Sequence, residues 1–295
     1  MAGRVIICMK PSNRRLLENG GRFCLPRPAA IRWWFCVFFL GFLCARLPAA
    51  DPSPAETWKP KLPDTDQFAR GSYVYEQNCQ VCHGPRGDGR GELAETLQPK
   101  PRSFRRGVFK YRSTPPGKLP TDEDLARVIR QGLAGTGMGV FGDRLSANDL
   151  RAVIDYLKSF SRKWRDAENY APPVIVPPFP SWWNDSAGRQ EHAAAGAKIF
   201  AASCASCHGE KGDGQGMAAA SLRDQWGDPI RPANLLAPLL HSGNEPSVLH
   251  RVLLTGIGGT PMVSFDGVLT VEQRWETIAH LLVLRDREKA SAGPP

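Results

Sequence analysis

The sequence predicts an all-α protein built as a tandem repeat of two small helical domains joined by a Pro-rich linker. Three observations carry that expectation. Residues recur at a fixed offset: Gly71, Tyr75, Cys79 and Gly87 are answered by Gly196, Phe200, Cys204 and Gly212, each pair 125 positions apart, which marks an internal repeat. Each half ends in an amphipathic segment behind a helix-start residue, Ser146 with Asp149 and Thr270 with Gln273. Between the halves, Ser161 to Gln190 gathers Pro172, Pro173, Pro177, Pro178 and Pro180 with Trp182 and Trp183, a stiff extended composition whose aromatics suit a path along a domain surface. A chain of 295 residues is long enough for two such cores. The expected divisions are a leader over 1–50, a first domain over 51–165, a linker over 166–188 and a second domain over 189–290.

The leader comes first. Arg4, Lys10, Arg14, Arg15, Arg22, Arg27 and Arg32 precede the apolar run Trp33 to Ala45, and Ala49 and Ala50 stand before the acidic Asp51. A basic segment, a short apolar run and small residues read as a secretory signal, with retention as an uncleaved membrane anchor as the alternative. The run is short for a spanning helix, which needs about 20 residues. The expected location is periplasmic.

In each half a helical stretch then runs into a pentapeptide, Cys79-Gln80-Val81-Cys82-His83 and Cys204-Ala205-Ser206-Cys207-His208. A C-x-x-C-H run places two thiols to form thioethers with the vinyl groups on one haem edge while the next imidazole reaches the iron. Half a zinc site and a redox dithiol are the competing readings. Zinc asks for four ligands, and neither half holds a second Cys pair or a tight His cluster. A thioredoxin-like dithiol follows a strand, whereas Ala69 to Gln77 and Ala193 to Ala202 look helical. Of the eight cysteines, four lie in the leader and four in the two motifs, so the expected cofactors are two covalent haem c groups.

The Gly-Asp-Gly turns at Gly87 and Gly212 end the motif helices. Pro-rich stretches follow, and Pro101 and Pro232 are the expected carbonyl donors to the second ring nitrogen of His83 and His208, since a metal-bound His usually gives its other N–H to an oxygen. A helix from Thr121 to Gln131 stops at Gly132, and its partner from about Pro246 to Thr255 stops at Gly256. Each leads into a glycine-rich turn holding one sulfur. His83 to Met138 is 55 residues and His208 to Met262 is 54, so Met138 and Met262 are the expected sixth ligands. Core filling is the ordinary use of Met, but Met138 is the only Met between residues 51 and 165, and the first half has no His besides His83. In the second half Met217, His192, His241, His250 and His280 compete, and only Met262 occupies the repeat-equivalent position. His280 matches Tyr156 and reads as a packing position.

The net charge of +9 is mostly leader: eight Lys and Arg against Glu18 in residues 1–50 contribute 8 − 1 = +7. Residues 51–165 carry 20 − 14 = +6 and residues 166–295 carry 10 − 14 = −4. Nucleic acid is a poor partner for an exported chain of this kind. Lys100, Arg102, Arg105, Arg106, Lys110 and Arg112 crowd one stretch and are expected either to meet an acidic redox partner or to be taken up by loop solvation and haem propionates.

With these residues in view, the chain resembles a dihaem c-type cytochrome made of two class I cytochrome c domains, over about residues 65–160 and 189–285. The resemblance implies that His83 and Met138 bind one iron and His208 and Met262 the other. Phe109 to Thr114 with Leu119 to Leu125 is similar to a stretch in dihaem subunits that accompany periplasmic oxidoreductases. Longer loops between His and Met, notably Leu222 to Leu240, depart from the shortest such cytochromes. The expected function is extracytoplasmic electron transfer, as a carrier or as the cytochrome subunit of an oxidoreductase complex, and not catalysis. The alternative is a dihaem enzyme, a peroxidase or a thiosulfate-oxidising cytochrome, which needs an iron with an open position or an unusual ligand.

Overall fold

The computed structural model describes residues 64–291; the expected leader and signal lie outside them. Both repeats fall in one compact unit. The helices are α1 (Thr65–Asn78), α2 (Gln80–His83), α3 (Asp122–Gln131), α4 (Ala147–Ser159), α5 (Ser186–Ser203), α6 (Ala205–His208), α7 (Pro246–Thr255) and α8 (Val271–Ser291), with short 3₁₀ turns between them. The architecture is all-α: the described residues hold no strand, only a single bridge between Arg223 and Pro229. None of these helices is long and apolar enough to cross a membrane.

The helices begin where side chains can satisfy their first N–H groups. Thr121 and Asp124 form a reciprocal capping box at α3, and Ser146 accepts from Asp149 N at α4. Pro at the first position of α7 lacks the N–H that would otherwise need a partner. Within each half the first and last helices cross closely, α1 on α4 and α5 on α8. The crossing is set by glycine: a Cβ on Gly71 would stand 2.1 Å from the Ala152 carbonyl oxygen, and one on Gly196 would stand 1.9 Å from that of Glu276. Each crossing is the edge of a separate apolar core, around Tyr75, Phe104, Leu125 and Val153 in the first half and Trp275, Ile278, Leu253 and Trp183 in the second.

The connecting segment differs from its expected bounds. Asp185 caps Ala187 N and Gly188 N and starts α5 at Ser186, so the helix absorbs the last residues assigned to the linker. What remains lies along both halves. Leu119 N donates to Asn169 O at 2.9 Å and Val174 N to Ser113 O at 2.7 Å, while Phe179 and Trp183 pack on Trp275 with centroids at 4.9 and 5.2 Å.

The halves also meet directly, in part through the basic stretch. Arg112 is buried and donates from Nη2 to Thr255 O at 2.9 Å. Gly258 N donates to Lys110 O at 3.0 Å. The Arg102 guanidinium lies 3.7 Å from the centroid of the Trp226 ring, and His241 Nδ1 donates to Ala134 O. Lys100 pairs with Glu95, leaving only Arg105 and Arg106 of the six well exposed. Burial brings Arg102 down to about 10, against the opposing pull of Asp224 and Asp228 in the second half.

Candidate functional site

The motif helices sit at matched places. Cys79 N bonds Tyr75 O at 2.8 Å and His83 N bonds Cys79 O at 2.9 Å; Cys204 N and His208 N repeat the pattern on Phe200 O and Cys204 O at 2.9 Å each. The short motif helix therefore grows directly out of the long one. Gly84 and Gly209 end it at φ +77 and +78, a left-handed conformation that a side chain would strain.

Cys79 and Cys204 are not poised for thiolate chemistry. Burial, with the neighbouring thiol second, pushes Cys79 up to about 12 and Cys204 up to about 11. Zinc binding and dithiol exchange call for the opposite shift. No disulfide joins either pair.

Each imidazole is oriented by a backbone oxygen. His83 Nδ1 lies 3.0 Å from Arg102 O and His208 Nδ1 lies 3.1 Å from Ala233 O. With Nδ1–H donating, Nε2 keeps the lone pair, the tautomer a metal ligand needs. Burial lowers the pKa of both rings, against the carbonyl's opposing pull. The acceptors are one residue beyond the expected Pro101 and Pro232. The Pro oxygens turn the other way, toward the places where Gly89 and Gly214 lack a side chain. Phe104 stacks on the His83 ring at 4.5 Å.

The two Met turns are copies of each other. Thr136 Oγ1 donates to Leu133 O at 2.8 Å and accepts from Met138 N at 3.1 Å. Thr260 Oγ1 does the same with Ile257 O at 2.8 Å and Met262 N at 3.2 Å. Leu133 N on Met138 O and Ile257 N on Met262 O close the turns at 3.0 and 2.9 Å. In the sequence these threonines stand in Gly135-Thr136-Gly137-Met138 and Gly259-Thr260-Pro261-Met262, and their bonds to the Met amides come from the structure.

All eight expected residues, Cys79, Cys82, His83, Met138, Cys204, Cys207, His208 and Met262, line one cavity of about 860 Å³, within the range of cofactor pockets. Its walls are mainly apolar, with Leu125, Ile129 and Val153 on one side and Leu249, Leu253 and Ile278 on the other. Met217 is 97% exposed and outside the cavity. His192, His250 and His280 are outside it too; His280 packs on Phe200 at 5.4 Å. His241 reaches the wall but is bonded to Ala134 O. The donor set fits haem c in both halves: a thiol pair, an imidazole with its tautomer set, a thioether on the same cavity and an apolar slot.

A family model described as "Cytochrome C oxidase, cbb3-type, subunit III" matches the chain twice, over residues 66–157 and 191–281. The chain belongs to this cytochrome c family. Membership makes haem c its cofactor and haem-based electron transfer its chemistry. Among solved structures, a chain of the "reducing HAO-like protein complex" of Kuenenia stuttgartiensis is similar, at 35% identity and a TM-score of 0.66, covering 73% of this cytochrome and 95% of that chain. No curated protein is significantly similar in sequence.

Proposed function

We propose that this cytochrome holds two haem c groups and passes electrons one at a time outside the cytoplasm, as a carrier or as the cytochrome subunit of an oxidoreductase complex, without a catalytic site of its own. The observation that carries the reading is the doubled donor set on one cavity: two thiols, an oriented imidazole and a turn-held thioether in each half. Haem bound there would supply one-electron exchange at iron.

The residues divide the work. Cys79 and Cys82, and Cys204 and Cys207, would hold the haem edges as thioethers. His83 and His208 would offer Nε2 to the iron. Met138 and Met262 would offer their sulfurs as further ligands, which would raise the potential relative to a second nitrogen. Lys110 and Tyr111, which line the cavity in the basic stretch, suit the propionates; burial brings Lys110 down to about 8, with the Arg102 charge second. Export is supported by the basic and apolar leader. The relative's place in a complex supports redox protein partners.

Mass spectrometry of the denatured, exported chain tests the reading. The expected mass is the chain cut before Asp51 plus two haems, unchanged by acid-acetone extraction. Haem lost from either half would refute covalent attachment there.

A further inference from the structure

The two halves differ at one place that matters to both sites. From His83 to its carbonyl partner Arg102 is 19 residues, whereas from His208 to Ala233 is 25. The second half has used the extra length to build a small closed loop. Arg223 bridges Pro229, Asp224 Oδ1 accepts from Trp226 N at 2.9 Å and Asp228 N at 3.2 Å, and Gly227 turns the tip at φ +86.

Trp226, at that tip, is held between the sites. One face carries the Arg102 guanidinium at 3.7 Å. Another edge lies where a Cβ on Gly259 would be, 2.8 Å away, and Gln225 N donates to Gly259 O at 3.0 Å. Gly259 precedes Thr260, whose hydroxyl holds Met262 N. Among the described residues Arg102 makes no carboxylate pair within 4.0 Å, its Nε is buried without a hydrogen-bond partner, and the residue borders the shared cavity. Its counterpart Ala233 offers only a methyl group.

We propose that Arg102 is a positioning residue that couples the two sites. Its carbonyl orients the imidazole of the first, and through Trp226 its guanidinium braces the turn that carries Met262 of the second. The inference rests on the two-haem reading above. Its electrostatic consequence follows from charge: oxidation adds one positive charge at an iron, and the Arg102 cation beside a cavity common to both sites opposes that step at each.

The test uses the full holoprotein with Arg102→Gln, Arg102→Lys and Trp226→Leu, measuring haem content by mass, each midpoint by potentiometry with paramagnetic resonance, and the long-wavelength sulfur-to-iron band. In Arg102→Gln both reduction equilibria are expected to shift toward the oxidised form by several-fold. In Arg102→Lys the charge, and so most of both midpoints, is retained. Trp226→Leu, a change in the second half, is expected to weaken the Met262 band and to move the midpoint of the first haem. A shift of one midpoint alone in Arg102→Gln, or an unmoved first haem in Trp226→Leu, overturns the coupling while two haems per chain uphold the reading. Fewer than two haems in the unaltered protein overturns the reading and the coupling with it.

Discussion

Replacing Gly258 with Ala isolates what holds the two halves together. Gly258 has no left-handed backbone to strain, so the effect is one of space. A Cβ there would lie 2.1 Å from the Phe109 carbonyl oxygen and 2.8 Å from Arg112 Nη1. Arg112 could swing aside, but a backbone oxygen cannot. Ordinary contact begins near ~3.5 Å, so the segments must part by roughly 1 Å. Parting removes the bond from Gly258 N to Lys110 O, worth about 0.5–1.5 kcal/mol, and the charged bond from Arg112 to Thr255 O, worth about 1.5–3 kcal/mol. The expected loss is about 2–4 kcal/mol, confined to the interface because each half has its own core. Denaturant unfolding followed by far-ultraviolet circular dichroism reads it: the transition should fall in midpoint and broaden toward two steps. Gly139→Ala, where a Cβ meets nothing within 4 Å, is the control. A Gly258→Ala protein within about 0.5 kcal/mol of the parent, unfolding in one sharp step, would refute the reasoning.

Gly196→Ala forces a methyl to within 1.9 Å of a carbonyl on α8 and should cost at least about 1–3 kcal/mol in thermal unfolding; a stable variant would mean the helices slide freely. Thr136→Val leaves Met138 N without its acceptor, so the protein should lose about 1 kcal/mol and the sulfur band of the first site should weaken while that of the second persists. His250 is fully buried on α7 with neither ring nitrogen bonded, and burial, then the Arg274 charge, brings it down to about 4. Between that value and the ordinary one near ~6.5 the unfolded chain binds the extra proton, so stability falls as pH drops through this window, by up to about 3 kcal/mol. His250→Phe should flatten that part of the urea-midpoint profile between pH 7 and 4, and an unchanged slope would remove His250 as its source.

Features set by near neighbours in sequence were legible before any coordinates. The capping box at Thr121, the glycines at 71 and 196 and the matched Met turns all follow from local spacing and a repeat that can be counted. The carbonyl partners were placed one residue early because Pro dictates its own φ and its predecessor's conformation, but not which oxygen ends up beneath the ring. The contact of the basic stretch with the second half was illegible for a different reason. Arg102 and Trp226 are 124 positions apart, and neither composition nor periodicity shows that one covers the other. The start of α5 was hidden because small residues such as Ala187, Gly188, Ala193, Ala194 and Ala195 show little apolar stripe, whereas the cap at Asp185 is plain once its N–H partners are seen. His250 against Trp275 at 4.4 Å left no trace in spacing at all, since the matching residue of the first half is Ala126.

The common cavity has a consequence for how the chain is made. Synthesis delivers the first half well before Leu249, Leu253 and the Met262 turn exist, so its apolar slot has to wait without the wall that the later residues supply. The second half is in that sense a chaperone covalently attached to the first, arriving more than a hundred residues late. A gene divided in the connecting segment would yield two pieces, each with its own core intact and each presenting half of an oily cleft to the solvent.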